Sequence, residues 1–434
     1  MPPTAISATI CNLRGREILD SRGNPTVEAE ITLSNGIRAC AAAPSGASTG
    51  RHEAVEKRDG EARYRGLGVL QAVANINEVL AKQLIGRRVE EQAKLDAFLI
   101  ELDGSENKTH LGANALLAVS LAAQKAAAAA AGVPLHTAIG ASTVLPVPLM
   151  NIINGGAHAS NNLDIQEFMI VPHGFPCFAD ALRAGCETFH ALRATLLSAG
   201  CSTGVGDEGG YAPDVQGTDA ALALIMQAIE RAGYVAGEQI SIALDCAASE
   251  FYQDGMYQLP ADNFRGDATA FVELLAQWVS RYPIVSIEDG CDEEDWDGWR
   301  LLSQQLGARV QLVGDDVFVT NPRLLQRGIE EQVGNALLVK PNQIGTVSET
   351  LAAVTMAQQA NYQTVMSHRS GETEYADIAD LAVGSGCKQI KAGAPCRGER
   401  TAKYNQLLRI ADALGENAHY GGEVFARPRQ AGAA

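Results

Sequence analysis

Two hydrophobic rhythms divide the chain. Near the N-terminus, Thr26 to Leu33 alternates apolar and polar positions, as a half-buried strand does, and Asn35-Gly36 is a turn signal that sends the chain back. From about residue 62 to Gly132 the period lengthens. Val69, Val73, Ile76, Val79 and Leu80 recur at three- and four-residue spacing, and the run around Ala126 to Ala131 predicts a buried helix closed by Gly132 and Pro134. Strands first and helices afterwards predict a small α+β unit, placed at residues 1–140. Beyond the boundary at Leu145-Pro146-Val147-Pro148, short apolar runs alternate with helical patterns to about residue 410. Residues 141–434 are therefore predicted to form a β/α barrel.

Six of these runs end in a charged or polar residue. Ile240–Leu244 leads into Asp245, Ile284–Ile287 into Glu288, and Val310–Gly314 into Asp315. Ala336–Val339 then leads into Lys340, Thr364–Ser367 into His368 and Arg369, and Lys388–Ile390 into Lys391. After the first interval the steps are about 23 to 28 residues, one strand plus one helix. In a closed parallel barrel the C-terminal strand ends open onto one face, so these groups are expected to converge in one mouth.

Lone carboxylates at buried strand ends are costly. Three of them, Asp245, Glu288 and Asp315, supply the hard oxygens that Mg²⁺ takes. The competing reading is that each caps the helix that follows. Lys340, after four apolar residues and before Pro341, is expected to be desolvated and so to have a lowered pKa suited to a base; an ion pair with the acids is the alternative. Three polar loops add candidates. Ser45–Gly50 offers hydroxyls on a glycine-rich turn, Asn154–Ala159 offers His158, and Gly206–Gly210 brackets two acids. Taken singly, the first reads more readily as a plain turn, an isolated histidine such as His158 is more often structural or merely exposed, and the third is equally a solvated turn.

A formal charge of −17 argues against a general nucleic-acid binder, which needs a basic face. An anionic substrate would need a locally positive pocket, which bound metal with Lys340, Lys391 and Arg369 can supply. No apolar run reaches the roughly 20 residues of a membrane span, and Met1 to Ala5 has no signal-peptide pattern. Nine cysteines without a CxxC pair fit reduced thiols in a cytoplasmic protein.

Many segments in order resemble the enolase family over nearly the whole length: Asp20–Glu28, Pro44–Gly50, Asn154–Ala159, Asp164–Met169, Gly206–Pro213, Leu244–Tyr252, Ser286–Gly290, Asn342–Thr346, Ser367–Glu374 and Ala402–Ile410. The resemblance implies an α/β fold, an atypical TIM-like barrel with one early antiparallel strand behind a smaller α+β domain. It implies reversible dehydration of 2-phosphoglycerate to phosphoenolpyruvate with two Mg²⁺ per site. An enolase-superfamily site with a Lys base and Mg²⁺ is a documented example of such chemistry.

By the same resemblance Lys340 matches the base and Glu208 the acid that protonates the departing hydroxyl. Asp245, Glu288 and Asp315 match the first metal's ligands, and Ser48 matches a ligand of the second. Arg369 and Ser370, with Ser367 and His368, match the phosphate clamp. Lys391 matches the partner of the substrate carboxylate, and His158, Gln166 and Glu167 match pocket-lining residues. The family also implies a homodimer, with a larger octameric ring as the alternative. A cell-surface pool and association with RNA-degrading assemblies are known for it, without support in this sequence. Gly398 stands where the family usually has Ser or Thr and is expected to cap the last helix. The tail from Phe425 is expected to lack structure.

Overall fold

In the computed structural model, which describes residues 8–425, strands β1 (Ile10–Leu19), β2 (Pro25–Leu33) and β3 (Arg38–Ala42) form an antiparallel meander. A helix at Ala113–Ala131 packs on β2 and β3. Its alanines allow close approach to the sheet, and Gly132, with φ 68°, ends it in the left-handed conformation. This helix is long and apolar enough for a membrane span by length and composition, yet it lies mostly buried within the fold as core.

The alternation of Thr26–Leu33 predicts one wet face, but β2 is buried on nearly all positions. The helix covers one face. On the other, Glu28 takes hydrogen bonds from Arg16 and from Tyr375, a residue of the second unit. The tertiary contact, invisible to the local pattern, covers the face that alternation assigns to water.

The second unit closes an eight-stranded barrel. Its strands are β4 (Val147–Asn154), β5 (Glu167–Val171), β6 (Ser241–Asp245), β7 (Ile284–Glu288), β8 (Gln311–Gly314), β9 (Ala336–Val339), β10 (Gln363–Ser367) and β11 (Gln389–Lys391). All neighbours pair in parallel except that β5 runs antiparallel to both β4 and β6. A reversed strand presents its first residue where its neighbours present their last. Glu167, which opens β5, is thus in register with both Asn154 and Asp245.

Inward positions alternate as a barrel wall requires: Ala336 and Leu338 face the interior with Val147, Leu149, Met169, Val171, Ala243, Val313 and Val365. Within the wall, Gln311 and Gln389 exchange side-chain hydrogen bonds at 2.9 and 2.7 Å, which satisfies two buried amides. Phe425, placed by the sequence in an unstructured tail, is buried against this interior cluster; the rest of that tail lies outside the described residues. Gly398 is not the cap either. Arg397, with φ 67°, precedes the helix Gly398–Leu414, and Gly398 is its first residue.

Candidate active site

The predicted residues meet at the C-terminal mouth of the barrel. A cleft partly open to solvent is bordered by every one of them except Glu288, which reaches it through Lys391. The loops arrive there for local reasons. Ser45 and Gly371 pair their backbones at 2.9 and 2.8 Å, and Arg22 donates to the carbonyls of Ser45 and Gly46, so the Ser48 loop is strapped to the Arg369 loop. Gly46 lies so close to the Arg369 guanidinium that no side chain fits there.

Lys391 is the hub of one side. Its Nζ lies 3.1 Å from Glu167, 2.9 Å from Asp245 and 2.8 Å from Glu288, all buried. Burial disfavours its charge, yet the three carboxylates hold its pKa well above the usual lysine value. Burial raises the pKa of Glu167 and Glu288 well above normal. Asp245 is also desolvated, but Lys391 brings its pKa below the ordinary value. Glu167 Oε2, Glu288 Oε2 and Gln166 Oε1 are buried without a hydrogen-bond partner.

On the other side, Asp315 takes a hydrogen bond from Lys340 Nζ and another from Gln343 Nε2 at 2.8 Å. Thr320 braces the pair: it accepts from the Lys340 backbone N–H at 2.9 Å and donates to Gln343 Oε1 at 2.7 Å. Asp289 accepts the backbone N–H groups of Asp315 and Asp316, both at 2.9 Å, from a left-handed backbone with φ 41°. That conformation costs about 1–2 kcal/mol for a non-glycine residue, and the two hydrogen bonds, one buried and one part-buried, offset it. Desolvation alone predicts a lowered Lys340 pKa. Burial, the largest single influence, pushes it down, but Asp315 together with Glu288 and the other acids around it carries the net shift upward, so the ion-pair alternative holds here.

Arg369 is clamped by Glu53 at 3.0 and 3.2 Å, by Asn342 at 3.2 Å and by the Ser48 carbonyl at 3.0 Å. Glu208 receives Asn151 Nδ2 at 3.1 Å and lies 3.2 Å from His368 Nε2 and 3.7 Å from His158 Nδ1. Burial opposes its charge, but the imidazoles and Arg400 favour it and hold its pKa well below the carboxylate norm. Ser370 Oγ bridges His158 and Glu208 at 3.1 and 3.4 Å, whereas Ser367 turns to its neighbour's carbonyl.

The donor set fits a divalent cation. Seven carboxylates (Glu167, Glu208, Asp245, Glu288, Asp289, Asp315, Asp316) face three fixed cations (Lys340, Lys391, Arg369), and partnerless oxygens remain. Two groups have potential ligand atoms within 4.8 Å of one another: His158, Glu167 and Glu208, and Asp289, Asp315 and Asp316. Asp245 and Glu288 share Lys391, while Asp315 stands with Lys340.

Asp289, Asp316, Glu53, Asn151, Gln343 and Arg400 escape the sequence reading. Asp289 and Gln343 lie inside matched segments and could have been singled out there; the others act through contacts that no spacing rule encodes. Residues 10–139 match the family model "Enolase, N-terminal domain" and residues 142–429 match "Enolase, C-terminal TIM barrel domain". With both matches in order over a barrel whose second strand is reversed, and a carboxylate-lysine centre at its mouth, the chain belongs to the enolase family.

Proposed function

We propose that the protein is the lyase that interconverts 2-phospho-D-glycerate and phosphoenolpyruvate. One observation carries this reading: a single cavity holds a lysine beside a carboxylate (Lys340), a buried acid (Glu208) and two further cations for the two anionic ends of the substrate (Arg369 and Lys391). Lys340 takes the C2 proton. To do so it gives up its Asp315 contact, after which the nearby charges of Arg369 and Lys391 favour its neutral form. Glu208 protonates the leaving C3 hydroxyl and acts as the base in the reverse direction. An anionic substrate in the pocket raises its pKa toward that of a usable acid.

Arg369 and Ser370 orient the phosphate, with Ser367 and His368 alongside, and Lys391 meets the substrate carboxylate. His158, Gln166 and Glu167 exclude water from the pocket wall. Asp245, Glu288 and Asp315 would hold one Mg²⁺ and Ser48 would help hold a second. When bound, these ions supply positive charge against the negative charge that builds on the substrate carboxylate. All nine cysteines are unpaired, which supports a reducing, cytoplasmic setting.

The test is absorbance growth from the enol double bond on mixing protein, 2-phosphoglycerate and Mg²⁺. Metal-dependent turnover is expected, with a loss of about 10³-fold or more in kcat for Lys340→Ala. Folded, metal-loaded protein without turnover would overturn the reading and favour a family member acting on another carboxylate.

A further inference from the structure

Arg400 is fully buried in the first turn of the helix Gly398–Leu414, where the helix dipole disfavours a cation. Its compensation comes from outside the helix. Nη1 donates to the Arg369 carbonyl at 2.6 Å, and Nη2 donates to the Asp207 carbonyl at 3.1 Å and to that of Ser370. Glu399 stands 3.4 Å from its Nε. The remaining contact is the informative one: Nη1 lies 2.6 Å from Nδ1 of His368.

A guanidinium only donates, so His368 Nδ1 must be the acceptor nitrogen. The ring proton then sits on Nε2, and Nε2 is the atom 3.2 Å from Glu208 Oε2. We infer that Arg400 is a positioning residue of this site: it locks His368 as the neutral Nε2–H tautomer, so that an N–H rather than a lone pair stands beside the Glu208 oxygen that Asn151 holds at 3.1 Å. Nε2 makes no hydrogen bond of its own here and is free to donate to that carboxylate. The inference rests on Glu208 being the acid of the proposed reaction.

The surroundings agree. The charged groups facing His368 are Glu208, Arg400 and Glu372, and Glu372 is already paired with Lys403 at 2.8 Å. Burial lowers the His368 pKa to about 4, and Arg400 adds to that shift, so the ring stays uncharged at neutral pH. An ordinary staple joining the 207 and 369–370 loops would need the three carbonyl contacts alone. The contact to Nδ1 adds a chemical consequence, because it selects which imidazole nitrogen carries the proton.

The decisive experiment is ¹⁵N NMR of the histidine-labelled full-length protein, with the His368 signals assigned by their loss in His368→Asn. Nδ1 is expected to be unprotonated and Nε2 protonated, unchanged between about pH 8 and about pH 6. A proton on Nδ1, or titration near the free-histidine value, overturns the inference without bearing on turnover.

The second arm is Arg400→Lys, which keeps the charge but loses the planar fork. Its kcat is expected to fall at least about tenfold while KM for 2-phosphoglycerate stays within about threefold, with Nε2–H population lost in parallel. Wild-type kcat in this variant overturns the inference. If the variant does not fold, the wild-type spectrum decides alone. A wild type with the Nε2–H pattern but no turnover overturns the lyase reading instead.

Discussion

The two sides of the barrel mouth solve the problem of buried charge differently. Around β5, β6 and β7, three carboxylates share the single ammonium of Lys391, and carboxylate and amide oxygens are left without partners. Around β8, β9 and β10, charges have dedicated counterparts: Asp315 with Lys340 and Gln343, and Arg369 with Glu53 and Asn342. A satisfied network holds geometry, whereas an unsatisfied one holds affinity for something outside the chain. The first side is therefore where an added cation gains most, and the second is where side chains are kept in register for it.

Removing Lys391 breaks this comparison most sharply. Lys391→Met leaves three buried carboxylates without their ammonium and is expected to cost about 3–5 kcal/mol in urea unfolding with chelator present. Lys340→Met leaves only Asp315, still held by Gln343, and is expected to cost about 1–3 kcal/mol. Equal losses would mean that the two sides do not differ.

Acid pH probes the border between them. His368 has a folded pKa of about 4 against 6.5 for a free histidine, because burial disfavours the charged ring. Below about pH 6.5 the unfolded chain therefore binds a proton that the folded ring refuses. The stabilisation is complete above that pH and is lost as pH falls toward 4, by about 3 kcal/mol in total. Unfolding free energies of His368→Asn should fall less steeply across that window than those of the wild type; parallel curves would remove His368 from the account.

Cation binding sharpens the comparison from the other direction. Mg²⁺ at a hundred times its Kd should stabilise the folded protein by about 2.7 kcal/mol, read as a concentration-dependent rise in Tm. Glu288→Gln should abolish most of that rise, while Glu53→Gln, on the satisfied side, should keep it. The smallest effect is a control. Gly398 starts its helix with open space where a Cβ would stand, so Gly398→Ala should stabilise by about 0.5 kcal/mol without altering kcat. A loss of activity there would tie this position to Arg400 and the acid side.

Much of this was legible in the sequence because it depends on local periodicity. Strand ends at Asp245, Glu288, Lys340, His368 and Lys391 follow from short runs of three to five residues, apolar in the main before the first three, and barrel closure brings such ends to one face. The poly-alanine helix, the turn at Asn35-Gly36 and the boundaries of the strands are likewise local properties. Apart from the cap of the last helix, which falls one residue earlier at Arg397, the failures are non-local. Alternation in β2 predicts a wet face that the barrel in fact covers through Tyr375, and Phe425 folds back under the barrel floor.

The sequence by itself determined which side chains stand at the ends of the strands, because apolar period and charge placement are properties of consecutive residues. Only the tertiary structure decided what those side chains do to one another. Whether Lys340 is a desolvated amine or an ion pair depends on Asp315, which lies 25 positions away along the chain and in hydrogen-bond contact across it. Which nitrogen of His368 carries its proton depends on Arg400, 32 positions on. Electrostatic interaction falls with distance in space and is blind to distance in sequence, so pKa and tautomer belong to the folded molecule alone.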